Sequence, residues 1–214
     1  MSRKQFVLLV VLVIAGFGLS LFLRSTRPVG TYAGDAGTAI DVMEDAGSPA
    51  LETQAADVTL IQFTDYQCGA CRRSHRALKA ALARDGRVRV VYKDWPIFGE
   101  RSRHAARVAL ASSYQGLYPK VHDGLMEAPN VDEVTMRRVV EQAGGNWHRL
   151  LKDLAQHRAE IDARLSRNAT QAFGLGLGGT PGYLVGPYLV RGGLKEAEFA
   201  KAFDQARRRS GLAR

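Results

Sequence analysis

Cysteine is nearly absent: the 214-residue chain has two, Cys68 and Cys71, and no third to pair with either. That excludes a disulfide-stapled scaffold, and a bridge closing so small a loop constrains the unfolded chain little. The five histidines (His75, His104, His122, His148, His157) show no H-x3–5-H spacing, so a zinc site lacks half its ligands. A two-thiolate Cu(I) site is open to the pair chemically, but no other residue supports it. There is no internal repeat, no sustained heptad and no nucleic-acid motif. The charge of +9, from 30 Lys and Arg against 21 acids, therefore reads as a solvated basic surface rather than a nucleic-acid footprint. Its clearest cluster, Arg207–Arg209, ends an amphipathic stretch, where cations complement a helix C-terminus.

Two absences divide the chain. Phe6 to Leu23 carries no charge, and at helical rise it spans roughly 27 Å. Arg3 and Lys4 precede it and Arg24 and Arg27 follow, so basic residues do not set an orientation. Residues 1–27 are expected to be an N-terminal membrane anchor, with a cleaved signal peptide as the rival reading; Gly18-Leu19-Ser20 offers a small-x-small site. Either implies export, and a bacterial periplasm suits a chain with one cycling cysteine pair. The second absence is of Lys and Arg between Arg27 and Arg72. Residues 28–56 are acidic and poor in apolar side chains, so a flexible linker is expected there, with a short helix open around Ile40–Glu44.

The folded domain is expected over 57–214. Val58–Thr64 reads as a strand and Arg72–Arg84 as a helix, with Cys68-Gly69-Ala70-Cys71 at their junction. A sulfur at a helix N-terminus meets unpaired N–H groups and the positive end of the dipole, which favour a thiolate. A low-pKa thiol beside a second thiol is the basis of disulfide exchange. Cys71, His75, Leu78 and Leu82 recur on one helical face, so Cys71 is expected inside and Cys68 facing solvent. On that stripe His75 reads as a packing or hydrogen-bonding residue. A second strand, Val88–Lys93, implies a right-handed parallel crossover. A helical block follows, about 100–178, in which Asn130 and Glu133 resemble a capping box and Gly144-Gly145 a helix stop. Gly182–Val185 and Tyr188–Val190 flank the turn Gly186-Pro187 as a hairpin, and Lys195–Arg208 forms a last helix. The fold class is α/β with a mixed sheet: β-α-β, a helical insertion, then β-β-α.

This order, with Cys-Gly-Ala-Cys at the first helix of the domain, resembles the thioredoxin fold, and the helical insertion is similar to that of the DsbA family of exported thiol–disulfide oxidoreductases. Phe63–Cys68 is similar to the family's strand end, Val88–Gly99 with Ser102, Ala105 and Ala106 to its second strand and first insert helix, and Gly179-Thr180-Pro181 to its cis-proline loop. The nearest flavour is its ScsC-like branch of periplasmic or membrane-anchored proteins. The resemblance implies Cys68 and Cys71 as the catalytic pair, Gly69 and Ala70 as the dipeptide that tunes it, and Thr180 and Pro181 as the substrate-binding loop. It implies no cofactor beyond the Cys68–Cys71 disulfide, with cysteine-containing exported proteins and a membrane redox partner as partners. Two departures stand out. Gly69-Ala70 lacks a histidine, and Gln62 occupies the place where related folds carry a buried acid that handles the inner cysteine's proton. Oxidation of substrates is the expected direction; reduction or isomerisation by the same residues, or a binding module without catalysis, are the alternatives.

Overall fold

The computed structural model describes residues 2–211, and for residues 6–8, 11 and 21–26 the backbone alone. Helix α1 (Arg3–Thr26) starts at Ser2, whose hydroxyl accepts from the Gln5 N–H at 3.3 Å. The expected anchor falls on this helix, and several of its side chains lie outside the described residues. Among the described residues no helix is long and apolar enough to cross a membrane, so the N-terminal membrane helix is not supported. A span needs about 20 consecutive apolar residues.

Residues 28–56 depart from the expected flexible linker more sharply, although the short helix anticipated around Ile40–Glu44 is present. They contain strand β1 (Thr31–Tyr32), helix α2 (Gly37–Glu44) and strand β2 (Ala50–Leu51). Strand β3 (Val58–Thr64), helix α3 (Gly69–Asp85) and strand β4 (Val88–Asp94) follow as the crossover. The insertion comprises α4 (Glu100–Ala111), a 3-10 turn (Ser112–Gln115), α5 (Tyr118–Glu127), α6 (Glu133–Gln142), α7 (Trp147–Gln156) and α8 (Arg158–Gly174). The chain closes with β5 (Gly182–Val185), β6 (Tyr188–Arg191) and α9 (Glu196–Arg209). The sheet order is β1-β6-β5-β3-β4-β2, with β3 and β4 parallel and the other pairs antiparallel.

The expected flexible linker is thus a strap that runs from one sheet edge to the other. Two short strands need few apolar residues, because pairing with β6 and β4 satisfies their backbone. Between them α2 buries Ala39 and Val42, three residues apart, against Ile61, Phe63, Val91, Leu184 and Leu189 on one sheet face. An acid that composition assigned to solvent has an interior partner. Asp45 takes the ammonium of Lys93, which is 0 % exposed, and also accepts from Gln171 Nε2 at 3.2 Å and Gly47 N at 3.1 Å.

The opposite face carries α3, α9 and most of the insertion over Leu60, Val90, Tyr183 and Val185, while the C-terminal half of α8 (Ala169, Ala172) packs beside α2. Two local expectations are corrected. Asp132 rather than Asn130 caps α6, accepting from Thr135 N at 2.8 Å, because Asn130 is spent on Asp132 N. Arg207 is not solvated. It is buried and binds Asp57 Oδ1 at 2.8 Å and both Asp85 oxygens at 2.6 and 2.8 Å, tying α9 to the ends of β3 and α3.

Candidate active site

Strand β3 ends at Thr64, and the backbone reverses through Asp65–Gln67 before α3 begins. Asp65 fixes this corner. Its buried carboxylate accepts from Gln67 N and Ser102 Oγ, both at 2.7 Å, and from Ile97 N at 2.7 Å and Phe98 N at 3.1 Å. Its carboxylate is therefore shared among the corner itself, the loop after β4 and the start of α4. Cys68 then caps α3, its sulfur accepting from Cys71 N at 3.2 Å. No acid sits in the first turn, so Cys68 alone receives the positive end of the helix. At the far end Gly86 takes φ 70° and donates its N–H to Leu82 O, a left-handed stop that glycine adopts without a Cβ clash.

The second wall is the Thr180–Pro181 loop, whose peptide bond is cis as the resemblance implies. The Cys68 thiol donates to the Thr180 carbonyl at 3.3 Å. Gly182, next in the loop, lies against Leu177, where an added Cβ would meet that side chain at 2.6 Å. The loop thus brings Thr180 and Pro181 to Cys68, as expected.

Both sulfurs are free thiols, and their environments differ. Cys71 is 1 % exposed on the inward face, as the helical stripe predicts. The expectation that Cys68 faces solvent is corrected: it is 4 % exposed, because the Thr180 carbonyl lies against it. Its neighbours Gln67, Ala70 and Thr180 are half-buried and Gly69 is exposed, which places Cys68 just beneath the rim. The hydrogen bond from the Cys71 thiol, then the Thr180 side chain and the N–H groups of Cys71 and Ala70, outweigh burial and lower the Cys68 pKa from 9.0 to about 6. Burial, with Cys68 as neighbour, pushes the Cys71 thiol well above its ordinary range. The Thr180 hydroxyl is buried and makes no other hydrogen bond, so it is free to turn toward the Cys68 sulfur, where it favours the thiolate.

A polar network escaped the sequence reading. Asp94, at the end of β4, accepts from Tyr118 Oη at 2.7 Å; Tyr118 Oη lies 3.4 Å from Tyr66 Oη; Tyr66 Oη lies 2.9 Å from His122 Nδ1; and His122 Nε2 lies 3.2 Å from Gln62 Nε2. Burial pushes Asp94 up to about 7 and holds His122 well below its ordinary value. The one signal available was Tyr118 and His122 at i, i+4, which reads equally as an apolar stripe. Among the described residues, no group of three His, Cys, Asp or Glu could hold a metal ion.

The profile of the DSBA-like thioredoxin domain matches residues 59–204. A solved thioredoxin-like oxidoreductase from Silicibacter pomeroyi DSS-3 is 32 % identical with a TM-score of 0.72, over 81 % of this chain and 98 % of that one. Two further structures share the fold. They are the thiol-disulfide exchange protein alpha-DsbA2 of Wolbachia pipientis (24 % identity, TM-score 0.72, 78 % and 90 % covered) and the catalytic domain of Proteus mirabilis ScsC (22 %, 0.68, 80 % and 95 %). Among curated proteins, Na(+)/H(+) antiporter NhaA 1 of Mycolicibacterium gilvum (strain PYR-GCK) is 25 % identical over 156 residues. That match covers 71 % of this chain and 25 % of the antiporter, so the chain spans about a quarter of such relatives. The matched profile runs from β3 to α9 and takes in both cysteines and the cis-proline loop, and on that ground the chain belongs to the DSBA-like thioredoxin domain family.

Proposed function

We infer that the chain is a thiol–disulfide oxidoreductase that works as an exported dithiol oxidase, with Cys68 as the exchanging sulfur and Cys71 as its internal partner. The observation that carries this reading is the asymmetry of the pair. Cys68 caps a helix, touches the cis-proline loop and is acidic, at about 6; Cys71 is buried and held protonated. A thiolate stabilised in the reduced form makes the disulfide form the stronger oxidant.

A substrate thiolate attacks Cys68 Sγ of the Cys68–Cys71 disulfide, and Cys71 leaves with the bond's electron pair. The substrate's second thiolate then attacks its own sulfur in the mixed disulfide and Cys68 leaves. The substrate gains one disulfide, and two electrons rest on the enzyme as a dithiol. A membrane oxidant of the quinone-linked class takes them back. An extended substrate segment pairs with the backbone at Thr180, displacing the thiol contact there. Backbone pairing demands little of the substrate's sequence, which suits many cysteine-containing exported proteins. Helix α1, with Arg3 and Lys4 ahead of its apolar side chains, serves as the export segment.

Replacing Cys71 with Ser tests the assignment: given disulfide-containing peptides, the variant's Cys68 thiolate attacks the peptide disulfide, one peptide thiolate leaves, and the mixed disulfide at Cys68 accumulates because no inner thiol resolves it. A folded variant that traps nothing overturns it. Alkylation of the protein in its own compartment reads the direction. A mostly disulfide population supports oxidation, and a mostly dithiol population reverses the flux.

A further inference from the structure

We propose that His75, reached from solvent through a small cavity with Lys79 and Asp123 at its mouth, is the residue that exchanges the Cys71 proton in each catalytic cycle. The inference deepens the exchange reaction proposed above and rests on it.

Cys71 must lose a proton to act as a nucleophile and regain one when it leaves, yet it is 1 % exposed. The obvious acceptors are spent or absent. Gln62, on the strand beneath, is an amide that cannot titrate and is engaged with His122. Asp65 has its carboxylate filled by four donors, Gln67 N, Ile97 N, Phe98 N and Ser102 Oγ. His75 follows Cys71 by four residues on α3, which stacks the two side chains on one inward face about 5–6 Å apart at Cβ.

The ring is poised for this role. His75 Nε2 is buried and has no hydrogen-bond partner; its nearest acceptor, Asp123 Oδ1, is 3.4 Å away. It borders a cavity of about 110 Å³ that Gln62, Tyr92, Lys79 and Asp123 also line. Leu51, Leu78, Leu82 and Val90 line the rest of it, so water is held at its polar side, where Gln62, Tyr92, Asp123 and the His75 ring converge. Lys79 and Asp123 are 49 % and 38 % exposed, which opens the cavity to solvent. The ionisable groups facing His75 are Asp123, Glu127 and His122 from α5, Lys79 and Arg76 from α3 itself, and Tyr92 across the cavity. Burial, opposed by Asp123, lowers the His75 pKa, so the ring is neutral at pH 7 and free to accept.

The step balances in both directions. When Cys71 resolves a mixed disulfide, its proton passes to the His75 ring and its electron pair forms the bond to Cys68 Sγ. The substrate sulfur leaves with the pair of the broken bond and takes a proton from solvent. When a substrate thiolate attacks the internal disulfide, Cys71 leaves with the pair and takes a proton through the ring, which regains one from water in the cavity.

An aromatic disulfide reagent that releases a coloured thiolate separates the steps. The first release reports attack by Cys68, and the second reports resolution by Cys71. In His75→Gln and His75→Phe, the first release stays within about twofold while the second slows roughly 10- to 100-fold and needs higher pH. Asp123→Asn, at the cavity mouth, moves the pH midpoint of the second release only. Should the His75 variants not fold, a second release in Asp123→Asn with the wild-type pH profile overturns the proposal. In folded His75 variants, a wild-type rate and pH profile for the second release overturn it. Loss of the first release in Cys71→Ser would instead overturn the assignment of Cys68.

Discussion

At the scale of single residues, two shifted acids make opposite demands on pH. Cys68 falls from 9.0 to about 6, so its contribution to the reduced fold is complete above the ordinary thiol value and is lost as pH falls through about 6. The thiolate fraction is about one half at pH 6 and about nine tenths at pH 7. Alkylation rate against pH should therefore show a midpoint near 6 for Cys68 and none for Cys71 in the neutral range. Thr180→Val removes a hydroxyl that stabilises the thiolate; it should move that midpoint upward and slow alkylation at pH 6 by roughly 2- to 5-fold. A midpoint unchanged by the substitution would remove the hydroxyl from the account. Asp94 runs the other way. Burial raises it from 3.8 to about 7, so the fold is favoured with Asp94 protonated, and that advantage is lost as pH rises through about 7. Asp94→Asn keeps an oxygen for the Tyr118 hydroxyl and cannot ionise. Denaturant titrations should show the variant gaining roughly 1–3 kcal/mol on wild type between pH 5 and pH 8. Parallel pH profiles for the two proteins would place the titration elsewhere.

At the scale of elements, what was legible followed from periodicity and what was not followed from pairing. Helix α3 was readable because Cys71, His75 and Leu78 recur at helical spacing and Gly86 supplies a stop. Strands β3 and β4 were readable as compact β-branched runs between turn signals. β1 and β2 have two residues each and exist only because β6 and β4 offer free edges, a fact about partners distant in the chain. The α6 start was misplaced by two residues because Asn130 and Asp132 are equally good caps, and the choice depends on which side chain Asp132 N engages. Arg207 went unread for the same reason: its partners Asp57 and Asp85 are 150 and 122 residues away. Removing one member of a buried ionic network strands the remaining charges. Arg207→Ala should therefore cost about 3–5 kcal/mol in chemical denaturation, and Arg208→Ala, at an exposed neighbour, less than about 0.5 kcal/mol. Equal losses would mean the cluster is a solvated surface after all.

At the scale of the whole molecule, the strap decides where the folded unit begins. The profile match starts at residue 59, after the strap. Yet without residues 28–56 the face formed by Ile61, Phe63, Val91, Leu184 and Leu189 loses Ala39 and Val42, and both sheet edges lose their outer strands. An open edge beside an apolar face invites pairing with another chain. Lys93, 0 % exposed, would also lose Asp45, its ion-pair partner. Losing one member of such a pair costs about 3–5 kcal/mol, and at roughly 2–4 °C per kcal/mol for a domain of this size the melting point should fall by about 6–20 °C. Removing residues 1–27 alone touches none of these contacts and should leave the melting point within about 2 °C of the full chain. The two truncations melted side by side test the strap, and equal melting points would show that it contributes nothing. A third protein, the 1–56 truncation carrying Lys93→Met, separates charge from packing. If the stranded ammonium is the main loss, replacing it with an apolar side chain should recover several degrees; if the uncovered face dominates, the two shortened proteins should melt together and remain prone to aggregation.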